Sequence, residues 1–141
     1  MRTVRQTTQD ENELVCRLLP LHATANFKGL TQVADDGTLE VIVGYDDWMP
    51  NSVQMHLWVH PRAQITRQMI REAFRYAFLI GGPRDVAIGV TPCDNEAALE
   101  VNRRLGFVET YRVKDGWLPG TDLAIQELRR EQCHWIREFL H

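Results

Sequence analysis

Between Val86 and Phe107 the hydrophobic pattern changes period twice. Val86, Ile88 and Val90 alternate as a strand does, Asp94-Asn95 can cap and open a helix running to Leu105, and Gly106 offers a left-handed stop before Phe107 begins another apolar strand. The unit reads strand, short helix, strand, with a polar turn at its first junction. In a sheet, the turn beyond the carboxyl end of such a strand is where ligands meet backbone amides.

The remaining segments assemble around that unit. Thr3–Thr7 suits a short first strand, and Asp10 is the expected cap of a helix through Cys16 to Leu19, with Leu14, Val15, Leu18 and Leu19 as its core stripe and Pro20 as its stop. From Leu21 to Gly29, Ala23, Ala25 and Phe27 alternate but also suit an irregular helix, and the stretch is read as a mobile or lid-like connection. Thr31–Ala34 and Thr38–Tyr45 flank Asp35-Asp36-Gly37, a hairpin signal, with Leu39, Val41 and Val43 on one side of the second arm. Ser52–His60 follows as a strand whose Val53, Met55, Leu57 and Val59 face one way and Gln54, His56, Trp58 and His60 the other. A large apolar Trp58 on the polar side implies that this face is covered or lined by ligand.

Thr66 is the expected cap of the next helix, in which Met69, Ile70, Ala73, Phe74, Ala77 and Phe78 form a broad apolar stripe, and Gly81-Gly82-Pro83 ends it. Arg67, Arg71 and Arg75 recur on another face, where a solvated stripe is favoured over a nucleic-acid surface. Val108–Val113 and Asp122–Leu128 read as strands around Lys114-Asp115-Gly116 and a Trp117–Thr121 connection. A terminal helix over about 131–140 carries Trp135, Ile136, Phe139 and Leu140 as apolar anchors. The order predicts a mixed α/β fold with one layer of sheet between helices, in a single domain over residues 1–141.

Composition narrows the classes. With 44% hydrophobic and 25% charged residues and a formal net charge of -3, the chain is an ordinary globular protein with no general pull toward nucleic acid. Cys16, Cys93 and Cys133 show no CxxC or Cys/His spacing and read as reduced thiols of a cytoplasmic protein. No signal-peptide pattern follows Arg2 and Arg5, and no apolar run is long enough to span a bilayer. His56 and His60 would stand about 13 Å apart on one strand, too far to share a metal ion. No Walker-type loop is present.

Asn95-Glu96-Ala97-Ala98, closing in Leu105-Gly106-Phe107, resembles the asparagine, small-residue helix and LGF ending of the GCN5-related N-acetyltransferase (GNAT) superfamily. Val53–Ile70 resembles that family's fourth strand and the helix beside the cofactor pyrophosphate, and the order of elements matches over nearly the whole chain. The likeness is closest to short acetyltransferase-like proteins of tailed bacteriophages, in ITRQMIREAFRYAF followed by NEAALEVNRRLGF. The resemblance implies a mostly antiparallel sheet flanked by helices, with splayed central strands. It also implies acetyl-coenzyme A between them, with backbone groups around Trp58, Val59 and His60 and the side chain of Asn95 on the pantetheine arm. A helix cap is the alternative role of Asn95.

The family's phosphate loop, R/Q-x-x-G-x-G/A, corresponds here to Arg62-Ala63-Gln64-Ile65-Thr66-Arg67. Gln64 and Thr66 occupy the glycine places, adding bulk where backbone would approach phosphate, while Arg62 or Arg67 can neutralise it. A tyrosine often protonates the departing thiolate four residues before the LGF glycine. That place is Asn102, which has no such proton to give, and Tyr111 on the next strand replaces it only if its face opens toward the thioester. His56, with an ordinary pKa of about 6.5, is a base candidate, and Asp46 or Asp47 can bind or relay from the amine, against a solvated-turn role for both carboxylates. Cys93 lies near the expected thioester, but direct transfer needs no cysteine nucleophile. Two expectations follow: an N-acetyltransferase for a small-molecule or protein amine, or an inactive interaction protein with the same fold. The second includes association with a phage particle, with Trp135 as interface anchor or core residue. Self-association is left open.

Overall fold

The computed structural model of the protein describes residues 2–19, 25–80 and 83–139. Its elements are β1 (Thr3–Gln6), α1 (Gln9–Leu18), β2 (Lys28–Val33), β3 (Leu39–Asp46), β4 (Ser52–Val59), α2 (Arg67–Phe78), β5 (Val86–Pro92), α3 (Glu96–Leu105), β6 (Val108–Leu118) and β7 (Thr121–Arg129), followed by short 3-10 turns at Arg130–Gln132 and His134–Phe139. The strands form one open sheet in the order β1-β2-β3-β4-β5-β7-β6. Every neighbouring pair is antiparallel except β4 and β5, which run parallel.

Thr8, rather than Asp10, caps α1. Its side chain accepts the Glu11 N–H at 3.2 Å while the Glu11 carboxylate accepts the Thr8 N–H at 2.8 Å, so the T-x-x-E spacing satisfies two otherwise orphaned donors. Of the predicted stripe, Val15 is fully buried, but Leu14 and Leu18 remain 37% and 42% exposed. The lid-like reading of Leu21–Gly29 falls partly on residues 20–24, outside the described residues. Phe27 instead belongs to the core, lying so close over Gly44 that a Cβ there would stand 2.6 Å from its ring, and Lys28 and Gly29 already pair in β2.

The Asp35-Asp36-Gly37 hairpin forms as expected, with Gly37 at φ 89° and the Ala34 N–H donating to Thr38 O at 2.9 Å. A bulge follows it: Gln32 pairs with Val41 but Val33 with Leu39, leaving Glu40 as the extra residue. Leu39 is thereby displaced from the face of Val41 and Val43 and packs beside Ile42.

Two faces result. On one, α2 lays Met69, Ala73 and Ala77 over Val41, Val43, Tyr45 and Val53, and the buried Tyr45 hydroxyl donates to Ala73 O at 2.7 Å. Phe74 and Phe78 continue this layer over Ala87, Phe107 and Leu128. On the other, Val15 of α1 joins Phe27 and Ile42, with Trp58 packed against them, so the face expected to be covered is covered. In β5 the buried residues are Ala87, Gly89 and Thr91, while Val86, Ile88 and Val90 are half-buried on the α1 face.

The terminal α-helix is not formed; 3-10 turns take its place, and Leu140 lies outside the described residues. Ile136 and Cys133 are buried there, and the Trp135 indole donates to Leu105 O at 3.0 Å, placing Trp135 against the core. Burial pushes the Cys133 thiol up to about 11. Gly81 and Gly82, the expected stop of α2, also lie outside the described residues.

Candidate active site

β4 and β5 are hydrogen-bonded neighbours for only three pairs, Ser52↔Val86, Val53↔Ala87 and Gln54↔Ile88, and past them the ladder stops while both strands continue. Strand polarity decides which backbone groups face the gap. The His60 N–H donates to Glu40 O at 2.8 Å, and since peptide groups alternate sides along a strand, Trp58 and His56 also bond toward β3. The Met55 N–H closes the last rung of the ladder on Ile88 O, so past it the Met55 C=O and the N–H and C=O groups of Leu57 and Val59 turn into the gap. On β5, the Cys93 N–H donates to Asp122 O at 2.9 Å and the Val86 N–H to Asn51 O at 3.2 Å, so the same alternation leaves Val90 facing β4. Of the backbone groups expected to meet an extended arm, those of Val59 face the gap, whereas those of Trp58 and His60 are committed to β3.

A cavity of about 660 Å³ fills this gap and passes through the sheet. On the α2 face its wall includes Leu57, Val59, Ile65, Ala98 and Asn102; on the α1 face it includes Gln54, His56, Val90, Leu123 and Trp117. This volume is typical of small-molecule sites.

No protein-family model and no curated protein matches the chain. Among solved structures, an N152L mutant of the spermidine N-acetyltransferase SpeG from Vibrio cholerae superposes with a TM-score of 0.74 at 13% identity, covering 98% of both chains. A dodecameric structure of that enzyme gives 0.73 at 14% identity over 92% of this chain and 94% of the other. Its complex with CoA and spermine gives 0.68 at 14% identity over 93% and 96%. The chain has a GNAT-like fold. The splayed β4–β5 seam is the feature that sets such a sheet apart from a continuous one. These three structures carry nothing on the narrower phage resemblance.

At the amino end of α2, Thr66 caps as expected, its hydroxyl oxygen accepting the Met69 N–H at 3.1 Å. The wholly buried Gln32, which sequence reasoning passed over, straps this loop to β2. Its amide oxygen accepts both the Thr66 N–H at 3.0 Å and the Thr66 hydroxyl at 2.9 Å, while its NH2 donates to Gln64 O at 3.0 Å and to Glu40 at 3.1 Å. The two residues at glycine places thus serve as anchor points, and Thr66 has its own N–H engaged. The cavity reaches Ile65; Arg62, Gln64, Thr66 and Arg67 lie beyond its wall, with Arg62, Gln64 and Arg67 exposed. No acidic residue occupies the first turn of α2, where helices ordinarily favour one.

Asn95 caps α3, accepting the Ala98 N–H at 3.2 Å, and also borders the cavity, so its two expected roles share one position. Asn102 lines the cavity and donates to Gln126 Oε1 at 2.8 Å and Thr91 Oγ1 at 3.3 Å, fastening α3 to β5 and β7. Tyr111 lies on the outer strand β6, 67% exposed and outside the cavity wall, because the whole of β7 separates it from β5. Cys93 also stands outside that wall.

His56 lines the cavity on the α1 face. Burial, the dominant influence, holds its pKa below 6.5, against the opposing fields of Asp46 and then Asp47. Asp46 ends β3 and is only 5% exposed rather than being a solvated turn group. Asp47 is exposed at φ 50° in the turn that follows. Gln32 gave no sequence signal because its role depends on a partner 34 residues away. Trp117 was hidden in a segment read as connection, although β6 continues through it.

Proposed function

We propose that the protein, as one domain over residues 1–141, is an N-acetyltransferase that moves an acetyl group from acetyl-coenzyme A to a primary amine of a small molecule or protein. The observation that carries this is the parallel seam that closes for three pairs and then opens around a cavity with strand backbone facing it. Leu57, Val59 and Val90, with the Met55 carbonyl, offer the groups an extended pantetheine arm would need, as an added strand does at a sheet edge. Asn95 and Asn102 lie along the same wall. Arg62, Arg67 and the amino end of α2 supply positive potential for the phosphates, outside the cavity proper.

When bound, acetyl-coenzyme A supplies the acetyl group: the amine nitrogen forms the new C–N bond, the C–S bond breaks, and the sulfur leaves as thiol. An N–H directed from β4 into the gap polarises the carbonyl, with Val59 and Leu57 as the available donors. His56, held neutral at pH 7, takes the amine proton directly or through water, and Asp46 beside it steadies the cation that forms. The proton for the thiol comes from solvent, since Asn102 holds the usual tyrosine place and Tyr111 is remote. Three cysteines outside any disulfide fit a reducing cytoplasm.

The engagement of Thr66 by Gln32, together with Asn102, favours a second reading in which the fold persists without turnover, including as part of a phage particle. Calorimetry of the folded chain with acetyl-coenzyme A separates the two. Binding in the micromolar range, followed by thiol release when amines are added, supports the enzyme. Folded protein that stays silent at high micromolar ligand supports the inactive reading.

A further inference from the structure

The α1-face half of the cavity carries information about what would enter it. There Leu18, Leu19, Val90, Pro92, Leu123 and Trp117 surround the side chains of Gln54 and His56. Among the described residues, no Asp, Glu, Lys or Arg lines the cavity on either face. The fields of Asp46 and Asp47 reach His56, so negative charge acts at the reacting end, while no carboxylate among the described residues lines the far wall.

Trp117 is held at this mouth by a specific device. Asp115 adopts φ 55°, its N–H donates to Asp122 Oδ1 at 3.0 Å, and its carboxylate accepts the Gly120 N–H at 2.9 Å. These bonds bend the end of β6 back over β7. Gly116 is pressed against the sheet so closely that a Cβ would sit 2.9 Å from the Cβ atoms of both Leu123 and Val113, so no larger residue fits without moving the arch. The next residue, Trp117, stands over the cavity mouth.

We infer that the acceptor is a primary amine borne on an apolar, aromatic-sized group that lies between Trp117 and the α1 leucines, and not a polyamine. This rests on the N-acetyltransferase reading of the same cavity. A polyamine brings further ammonium groups, and a wall of leucine, valine and tryptophan strips their water without offering a carboxylate in return. An arylalkyl or alkyl amine instead buries its hydrocarbon against that wall and presents one nitrogen to His56. Affinity should then grow by about fourfold for each methylene buried.

The test uses the full chain with acetyl-coenzyme A, measuring thiol release with phenethylamine, a series of n-alkylamines and spermidine. Phenethylamine should exceed spermidine in kcat/KM by at least about tenfold, and KM should fall along the alkyl series by about fourfold per carbon. Trp117→Ala should raise KM for phenethylamine about tenfold while leaving kcat and the binding of acetyl-coenzyme A unchanged, a split expected of a residue that only binds acceptor. Preference for spermidine, or a Trp117→Ala variant with unaltered KM, overturns the inference. If acetyl-coenzyme A does not bind at all, the enzyme reading fails. Direct titration of phenethylamine against spermidine, followed by tryptophan fluorescence, then decides the ligand class by itself. Phenethylamine binding that Trp117→Ala weakens upholds it, and spermidine binding or no binding refutes it.

Discussion

The closed and open ends of the β4–β5 seam are made from the same two strands and yet behave differently. At the closed end Val53 and Ala87 pair directly, and both are fully buried beneath the α2 layer, where Phe78 packs on Ala87. At the open end Leu57 and Val59 have no β5 partner, and α3 stands across the gap, pinned through Asn102 to Thr91 and Gln126. Both ends carry backbone donors and acceptors able to extend the ladder, the missing N–H of Pro92 apart. What differs is how the helices hold the strands.

The harshest way to break the comparison is to remove the packing beneath the closed end. Phe78→Ala should cost about 3–5 kcal/mol, enough to threaten the fold as a whole, and urea unfolding followed by circular dichroism measures it. A loss under 1 kcal/mol would show that the closed end does not depend on this layer.

Filling the open end should do the reverse, abolishing ligand binding at little cost in stability. Ala98→Trp places a large ring on the α3 wall of the cavity. It should weaken acetyl-coenzyme A binding by at least about 100-fold in calorimetry while the melting temperature falls by only a few degrees.

Gln32→Leu tests whether the strap at the amino end of α2 belongs to the closed or the open system. It leaves Glu40, Gln64 O and Thr66 without their shared partner and should destabilise the chain by about 1–3 kcal/mol. Acetyl-coenzyme A affinity, normalised to folded protein, would hold if the strap is purely structural and fall if it orients the loop for phosphate.

The smallest effect is the pH response of the open end. Burial depresses the His56 pKa in the folded chain below its unfolded value of 6.5. The unfolded chain therefore binds the extra proton more readily, and His56 costs nothing above pH 6.5 but subtracts stability as pH falls below that value. His56→Gln should flatten this part of the stability profile, seen as melting temperature against pH between 7.5 and about 5. Glu11 offers a contrast away from the seam. The Arg5 guanidinium holds its carboxyl down to about 2, so its contribution is complete above pH 4.5 and is lost only as pH falls through that lower range. The pair lies at the surface, with the Arg5 side chain 40% exposed, so solvent screening keeps that contribution modest.

Local rules carried much of the fold into the sequence. Period-2 alternation in Ser52–His60, the apolar stripe of Met69 to Phe78, the Asp35-Asp36-Gly37 turn, and the Asn95 and Gly106 ends of α3 each depend on neighbours within a few residues, and each formed. So did the covered face around Trp58, since an indole on a polar side signals a missing partner. The errors have the same origin. Asp10 is a good cap by residue type, but the reciprocal bond to Glu11 selects Thr8, and the terminal segment has helical apolar spacing although it packs as 3-10 turns.

The candidate site was legible in part. His56, Val59, Asn95 and Asn102 border the cavity, and the residues that shape the rest of it depend on distant contacts: Gln32 on a loop 34 residues away, Trp117 on an arch set by Asp115 and Asp122. Sequence by itself determined the alternating strands, the helical stripes and most of their ends, because those preferences are settled by sterics and hydrogen bonds along a short stretch of chain. Only the tertiary structure decided that Asp46 is buried, that Tyr111 faces solvent and that the seam opens after Gln54. Those outcomes follow from which surfaces meet, and helices packed on opposite faces of the sheet impose a geometry that no single strand encodes.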